Sequence, residues 1–387
     1  MKRFTSIDTT RGLVMIIMAL DHVRDFMHTG SMSDSPTNLQ TTTPLLFFTR
    51  WITHLCAPTF VFLAGTSAYI SVKRQNNLAE SRRFLLTRGL WLLLLEITLI
   101  NLALWFDIHF RLMLMEVISA IGLSFIVLSF MLRLPSRLTG VIGILIVFSH
   151  NLFQGIPLPS NHFAVFISSV LFYPNLIPLP AGHSFFSAYP LVPWLGIMLT
   201  GFSCGELFDL APEKRKKIFL TGGVGILSLF IILRFVDIYG DPSLWKTQKS
   251  AMFTFLSFLN VTKYPPSLLF SLLFIGIAFL LLFLTENREN RFAKICSTYG
   301  RVPLFFFIAH LYVIHLTMFI MLYIQGFHSG DFLFGPFKNG RPEHGGGVNL
   351  AVIYLLWIAI VILFFPLCQW FGNYRKMHPE NKFLRYI

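Results

Sequence analysis

The chain has 387 residues, of which 55% are apolar and only 13% are charged, and its formal net charge is +13. Soluble domains contain about 25% charged residues, so this chain lacks the polar surface that a water-soluble protein of its size needs. The same numbers exclude a disordered chain, a coiled coil and a disulfide-rich secreted scaffold. We therefore expect an all-α polytopic membrane protein.

Ten apolar stretches are long enough to cross a hydrocarbon core, which takes about 20 helical residues. In chain order the predicted spans are Gly12–Met27, His54–Val72, Phe84–Trp105, Leu112–Leu132, Leu138–Ile156, Tyr189–Phe208, Ile218–Val236, Ser267–Leu284, Val302–Gln325 and Val348–Phe371. A further apolar segment, Phe163–Leu179, contains three prolines and is predicted to be interfacial or re-entrant. We interpret residues 1–387 as a single transmembrane domain.

The basic residues predict how the chain is oriented. With ten spans and the N-terminus inside, 22 of the 31 lysines and arginines fall on the cytoplasmic side. This asymmetry fits the positive-inside rule, so both termini are predicted to be cytoplasmic. The net charge then reports topology, and no nucleic-acid partner is needed to explain it. We expect a multi-pass protein of the cytoplasmic (inner) membrane, without a cleavable signal peptide.

The four cysteines, Cys56, Cys204, Cys296 and Cys368, are scattered along the chain and form no CxxC pair. They lie in or beside apolar runs, so the sequence supports neither a disulfide framework nor a zinc site. No metal is predicted.

The first span carries the most unusual residues, Asp21, His22, Arg24, Asp25 and His28. His22 lies 11 residues after Arg11, which at about 1.5 Å per residue places it near the membrane midplane. Ionisable groups at this depth are costly and mark pathways or reaction centres. A neutral imidazole oriented by Asp25 or Asp21 is a general base near neutral pH, as acyl transfer to a hydroxyl or amine requires. The alternative is a structural cluster of ion pairs between helices.

Other polar residues lie at the ends of spans or within them, and each has a structural alternative. Candidates for substrate binding are Arg50, His54, His150, Lys263, Tyr264 and His310. A buried histidine that packs between helices and a rigid loop around Lys263 are the competing interpretations. Asp8 and Arg11 are either a helix-capping pair or ligands for a polyanionic donor. Arg111 and Glu116 are predicted to form an ion pair.

Several of these residues belong to motifs that resemble one family. The motifs are Ser6-Ile7-Asp8-Thr9-Thr10-Arg11-Gly12 followed by Asp21-His22, Ala57-Pro58-Thr59-Phe60-Val61-Phe62-Leu63-Ala64-Gly65, Tyr189-Pro190-Leu191-Val192-Pro193-Trp194-Leu195-Gly196, Lys263-Tyr264-Pro265-Pro266-Ser267-Leu268, and Gly300-Arg301-Val302-Pro303-Leu304-Phe305 with His310. In this order they resemble heparan-α-glucosaminide N-acetyltransferase-like membrane proteins, which belong to the wider group that includes the acyltransferase-3 enzymes.

The resemblance implies acyl transfer across or within the membrane, with acetyl-CoA or another acyl-CoA as donor. In acyltransferase-3 enzymes an essential histidine follows an arginine at the spacing of Arg11 and His22. In the heparan branch the position that matches His22 looks like an asparagine, and the essential histidine comes later in the sequence. The nearest equivalent of that later histidine in this chain is His28. Both histidines therefore remain candidates for the base, and we favour His22.

The leading hypothesis is an acyltransferase that moves an acetyl or other acyl group to a sugar hydroxyl or amine on the outer side of the membrane. Arg11, Asp8 and Arg301 would hold the acyl-CoA at the cytoplasmic mouth. His22, Asp25, Asp21 and His28 would supply the catalytic groups. The competing hypothesis is a proton-coupled transporter, because chains of intramembrane Asp and His also relay protons. A non-catalytic scaffold does not explain why Asp21, His22 and Asp25 lie so deep.

Overall fold

The computed structural model describes residues 4–31, 34–155 and 161–386 of the chain. Most of these residues are helical. In chain order the helices are α1 (Thr5–Met27), α2 (Pro44–Thr53), α3 (Cys56–Gln75), α4 (Leu78–Leu95), α5 (Asn101–Trp105), α6 (Val117–Met131), α7 (Ser136–Ser149), α8 (His162–Leu171), α9 (Leu191–Cys204), α10 (Pro212–Val236), α11 (Ala251–Leu259), α12 (Leu268–Thr285), α13 (Arg291–Gly300), α14 (Pro303–Ile324) and α15 (Leu350–Met377). A π-helical turn over Glu96–Ile100 joins α4 to α5.

Two small sheets are built from short strands between the helices. The strands are β1 (Leu112–Met115), β2 (Leu176–Pro178), β3 (Ser184–Ser187), β4 (Phe334–Gly335) and β5 (Lys338–Asn339). In the first sheet β3 is central and pairs parallel with β1 and antiparallel with β2. The second sheet is the antiparallel pair of β4 and β5.

Eight helical stretches of the described residues are long and apolar enough to cross a membrane. They are Pro44–Gln75, Leu78–Trp105, Ser136–Phe153, Leu191–Asp209, Pro212–Val236, Leu268–Thr285, Pro303–Ile324 and Leu350–Met377. All eight coincide with predicted spans, although Ile156, the last residue of the fifth prediction, lies outside the described residues. The chain is therefore an all-α multi-pass membrane protein, as the composition predicted.

The two remaining predicted spans correspond to α1 and α6. Helix α1 has 23 residues, which is long enough to cross a membrane. It contains five charged side chains, however, and is therefore less apolar than the eight stretches above. Helix α6 has only 15 residues and begins at Val117, so the prediction of a helix from Leu112 was wrong. Residues Leu112–Met115 form β1, and a short apolar run of this kind has no periodicity that separates a strand from a buried helix.

Both ends of the described chain lie on the same face of the bundle. An Asp8 carboxylate oxygen of α1 is 4.0 Å from Nε of Arg301, and Arg375 near the end of α15 donates a hydrogen bond to the Arg301 carbonyl oxygen. Termini on one face require an even number of membrane crossings, which fits the eight long apolar stretches as well as the ten predicted spans. That this face is cytoplasmic stays a prediction from the charge distribution.

Helix α1 is the centre of the bundle and contacts α2, α3, α12, α13, α14 and α15. Its closest neighbour is α13, where Gly12 faces the backbone of Cys296. A Cβ atom on Gly12 would lie 1.7 Å from the Cys296 carbonyl oxygen, and one on Gly300 would lie 1.9 Å from the Asp8 carbonyl oxygen. Small residues at both positions allow the two backbones to touch, which is a common way to pack membrane helices. The contact fixes the depth and rotation of α1, and with them the position of His22.

Candidate active site

Two cavities lie against α1, one near each end of the helix. The first, which we call the polar cavity, has a volume of about 460 Å³ and surrounds the second half of α1. Its ionisable lining residues are Asp21, His22, Asp25, Arg50, Cys56, Glu116, Tyr189, Lys263 and Tyr264. The second, which we call the apolar cavity, has a volume of about 300 Å³ and lies beside the first half of α1. Met18, Phe60, Val117 and Phe307 line both cavities.

Asp21 and Asp25 are ion-paired with arginines. Arg24 Nη2 lies 2.6 Å from a carboxylate oxygen of each aspartate, and Arg50 donates to the second oxygen of Asp21. The Arg24 side chain is 1% exposed, so its charge depends on these two carboxylates. The structural cluster of ion pairs, the alternative to a catalytic role, is therefore present, and its residues Asp21, Asp25 and Arg50 line the polar cavity.

His22 faces the polar cavity with no hydrogen-bond partner among the described residues. The orienting hydrogen bond expected from Asp25 or Asp21 is absent there, because both carboxylates bind arginines instead. The nearest ring is that of His310, whose centroid lies 5.1 Å from that of His22 in an edge-to-face arrangement. Phe307 is next, with its ring centroid 6.1 Å away. The ring nitrogens of His22 are thus free to contact a molecule in the cavity.

His310 is fully buried and has a defined tautomer. Its Nδ1 lies 2.8 Å from the Phe306 carbonyl oxygen, an acceptor only, so Nδ1 carries the proton. Its Nε2 is then an acceptor, and within the described residues it has no partner. A buried acceptor without a partner is unfavourable. An N–H group of the His22 imidazole pointing toward His310 Nε2 would therefore be favoured.

Lys263, Tyr264, Tyr189 and Glu116 also line the polar cavity. The Lys263 ammonium lies 4.9 Å from the centroid of the Tyr264 ring and 5.7 Å from that of Tyr189. The Lys263 residue is 8% exposed and forms no ion pair with the described residues. A buried ammonium over two aromatic rings, with free donors toward a cavity, is suited to binding a polar molecule there.

The loop that carries Lys263 is held by hydrogen bonds with His150 and Asp241. His150 Nε2 lies 2.6 Å from the Pro266 carbonyl oxygen, and Asp241 accepts hydrogen bonds from the Thr262 amide at 2.8 Å and the Ser267 hydroxyl at 2.6 Å. His150 therefore supports the loop and does not line either cavity. The rigid-loop interpretation is correct for the backbone, while the Lys263 and Tyr264 side chains face the cavity as the binding interpretation requires.

Glu116 was interpreted wrongly as the ion-pair partner of Arg111. Arg111 instead binds Asp107, with Nε 2.8 Å from a carboxylate oxygen. Glu116 lines the polar cavity just after β1, and the buried carboxylate of Glu96 accepts the Ser119 amide at 2.9 Å behind it. Nothing in the local sequence distinguishes Glu116, because its position depends on the pairing of β1 with β3.

Arg11 lines the apolar cavity. It donates to the Ser67 hydroxyl at 2.7 Å and to the Gly300 carbonyl at 3.3 Å, and it lies 3.8 Å from a carboxylate oxygen of Asp8. Arg88 lines the same cavity, although its place in the sequence indicates only the orientation of the chain in the membrane. Arg301 lies beside Asp8 with its side chain 40% exposed, outside the cavity lining.

The two remaining candidates, His28 and His54, line neither cavity and make structural contacts instead. His28 ends α1, accepts a hydrogen bond from the Gly30 amide at 3.2 Å and lines neither cavity. Burial and the nearby Arg24 and Arg341 lower the pKa of His28. His54 is buried between the rings of Phe270 and Phe274. The geometry thus separates His22, which faces a cavity, from His28 and His54, which do not.

The described residues contain no group of three or more His, Cys, Asp or Glu that could hold a metal ion. Cys56 lines the polar cavity, and its thiol donates to the Val14 carbonyl oxygen.

A family model for the catalytic part of heparan-alpha-glucosaminide N-acetyltransferase matches residues 3–245. No curated protein sequence matches the chain significantly. The matched residues include Arg11, His22, Glu116 and Tyr189, while Lys263 and His310 follow the matched region.

Proposed function

Because the chain belongs to the heparan-alpha-glucosaminide N-acetyltransferase catalytic family and is thus a membrane acetyltransferase, we propose that it transfers an acyl group from acyl-CoA to a carbohydrate acceptor. The acceptor group is a sugar hydroxyl or amine on the outer side of the membrane. The observation that carries this proposal is His22, a histidine without a hydrogen-bond partner among the described residues, which lines the polar cavity next to the boundary with a second cavity lined by Arg11 and Arg88.

The apolar cavity suits the donor. The polar residues of its lining are Arg11, Arg88, Ser67 and Ser71, while the rest of its lining is apolar. Guanidinium groups bind phosphate oxygens through paired hydrogen bonds, so the two arginines suit the phosphates of CoA. The apolar interior suits the uncharged pantetheine arm. The donor would then enter from the face where the chain ends meet, which the charge distribution predicts to be cytoplasmic.

The polar cavity suits the acceptor. Tyr264 and Tyr189 offer aromatic surface, and Lys263 and Glu116 offer a donor and an acceptor for hydrogen bonds with a sugar. The carboxylates of Asp21 and Asp25 remain bound to Arg24 and Arg50, so in this proposal they hold the cavity wall and do not exchange protons with substrate.

In the proposed reaction the acceptor oxygen or nitrogen attacks the thioester carbonyl carbon while His22 takes the proton of the attacking group. The carbon–sulfur bond then breaks, and the imidazolium returns the proton to the departing thiolate. The products are the acylated acceptor and CoA with a free thiol. His22 ends the cycle neutral, so one histidine serves both steps, and the protein forms no covalent bond to the acyl group.

The test is acyl transfer by the purified protein in lipid nanodiscs. Radiolabelled acetyl-CoA would be incubated with amino sugar and neutral sugar glycosides, and labelled product would be separated and counted. We expect His22→Ala to lower the rate by about 10²–10⁴-fold, the usual contribution of a general base. His28→Ala is the matched control, because that histidine lies outside both cavities, and it should keep the wild-type rate.

Three results would contradict the proposal. Full activity of His22→Ala would remove His22 as the base, and equal losses in His22→Ala and His28→Ala would point to a general structural effect. Proton-driven uptake of a sugar into proteoliposomes, without any acylated product, would favour the transporter alternative.

A further inference from the structure

Four apolar side chains separate the two cavities. Met18 comes from α1, Phe60 from α3, Val117 from α6 and Phe307 from α14, and each of them lines both cavities. Met18, Val117 and Phe307 are 5%, 7% and 5% exposed, so they are packed tightly among their neighbours. The boundary is therefore built from four helices, and a change in one side chain cannot be absorbed by movement of a loop.

The boundary adjoins His22 directly. Phe307 contacts the His22 ring edge to face, with the centroids 6.1 Å apart. Met18 precedes His22 by four residues on α1 and so lies on the same side of that helix, one turn closer to Arg11. An acyl carbonyl that is attacked with His22 as the base must then lie at this boundary, with its thioester sulfur in the apolar cavity.

We infer that Met18, Phe60, Val117 and Phe307 form an acyl-length filter that admits short acyl groups and excludes longer ones. This inference rests on the proposed function, because it assumes that the donor occupies the apolar cavity. The four side chains offer no hydrogen-bonding side-chain group apart from the weakly accepting thioether of Met18. They therefore discriminate by size, and the acyl group is the part of the donor that passes between them.

The physical basis is overpacking. With the pantetheine arm in the apolar cavity, every methylene added to the acyl group has to be placed among these four side chains, of which Met18, Val117 and Phe307 are buried and Phe60 is half-buried. Extra methylenes in a well-packed site force neighbours out of their preferred rotamers. One methylene in an apolar pocket commonly changes discrimination by about 10-fold or more. Acetyl and propionyl donors are accordingly favoured over butyryl and hexanoyl donors.

The filter can be tested by binding alone, without catalysis. S-alkyl-CoA thioethers with methyl, ethyl, butyl and hexyl groups lack the carbonyl and cannot be transferred. Their affinities would be measured by titration calorimetry on the full chain in nanodiscs. We expect the wild type to bind the hexyl compound at least about 10-fold more weakly than the methyl compound. Phe307→Leu, Phe60→Leu and Val117→Ala should each reduce that difference.

Phe125→Leu is the matched control. Phe125 is 5% exposed and lines the apolar cavity only, so the same loss of volume away from the boundary should leave the ratio of hexyl to methyl affinity unchanged. If Phe307→Leu does not fold, Phe60→Leu and Val117→Ala carry the test, since they come from different helices. A parallel measurement of transfer from acetyl-CoA and butyryl-CoA should show the same change of preference.

The outcomes separate the filter from the proposed function. Equal affinities of the wild type for the methyl and hexyl compounds would overturn the filter. The filter would also be overturned if all three boundary variants kept the wild-type ratio of hexyl to methyl affinity. Binding of no CoA thioether would overturn the donor assignment itself, and the filter with it. Acetyl transfer with an unchanged length profile in the boundary variants would leave the proposed function standing and overturn only the filter.

Discussion

His22 and His310 meet edge to face with their ring centroids 5.1 Å apart, although 288 positions of sequence separate them. The proton of His310 is fixed on Nδ1 by the Phe306 carbonyl, so its Nε2 is an acceptor next to the proposed base. An acceptor in this place favours one tautomer and one orientation of His22, and the second free nitrogen of His22 then faces the substrate. His310 is in this view a positioning residue.

We expect His310→Ala to lower kcat by about 10-fold, which corresponds to about 1.4 kcal/mol, with little change in the KM for acetyl-CoA. His310→Gln keeps an acceptor and should restore most of the loss. The pH profile of kcat/KM should move in His310→Ala and return in His310→Gln. If both variants lose the same activity and keep the wild-type pH profile, the role of His310 is packing alone.

The Asp21 carboxylate should be essential for stability. Asp21→Asn leaves Arg24 and Arg50 short of a counter-charge, and removing one partner from a buried ion pair costs about 3–5 kcal/mol. Asp25→Asn should cost much less, because the Asp25 side chain is 52% exposed and Asp21 still pairs with both arginines. Thermal unfolding in detergent, monitored by tryptophan fluorescence, compares the two variants. Equal Tm values for both would contradict the assignment of Asp21 as the main counter-charge.

Lys263 should act on the acceptor and leave the donor unaffected. Lys263→Ala is expected to raise the KM for the acceptor by about 10-fold or more, because a hydrogen bond to a charged group contributes about 1.5–3 kcal/mol. The KM for acetyl-CoA should stay the same, since Lys263 lines only the polar cavity. Lys246→Ala, an exposed lysine that lines neither cavity, is the control. A rise in the acetyl-CoA KM would instead place the donor in the polar cavity.

The contact of Gly12 with α13 predicts a large loss of stability on adding a single methyl group. In Gly12→Ala the new Cβ would lie 1.7 Å from the Cys296 carbonyl oxygen, so the helices must separate, at a cost of about 1–3 kcal/mol or more. The matched control is Gly225→Ala in α10, where no atom lies within 4 Å of the added Cβ. That change should be neutral or slightly stabilising, because alanine has the higher helix propensity. The difference in Tm between the variants measures the cost of the contact, and equal Tm values would contradict the close packing.

Much of the fold could be predicted from the sequence, for reasons that lie in each segment. The bilayer fixes the length of a span, so the apolar runs from Leu268 to Thr285 and from Pro303 to Ile324 were recognisable without any knowledge of their neighbours. The same reasoning predicted a helix from Leu112, where the chain forms β1, because a strand is defined by a partner elsewhere in the chain. The family was also recognisable, since its motifs are local.

The candidate site could likewise be predicted only in part from the sequence. The sequence by itself indicated which ionisable residues lie within predicted spans or at their ends, and so identified Asp21, His22, Arg50 and Lys263 as residues of interest. Only the tertiary structure decided their partners. It paired Asp21 with Arg24 and Arg50, placed His310 beside His22, and brought Glu116 into the polar cavity through the pairing of β1 with β3. Hydropathy is a property of single residues, whereas an ion pair or a cavity wall depends on the distance between residues from different helices, which only their packing fixes.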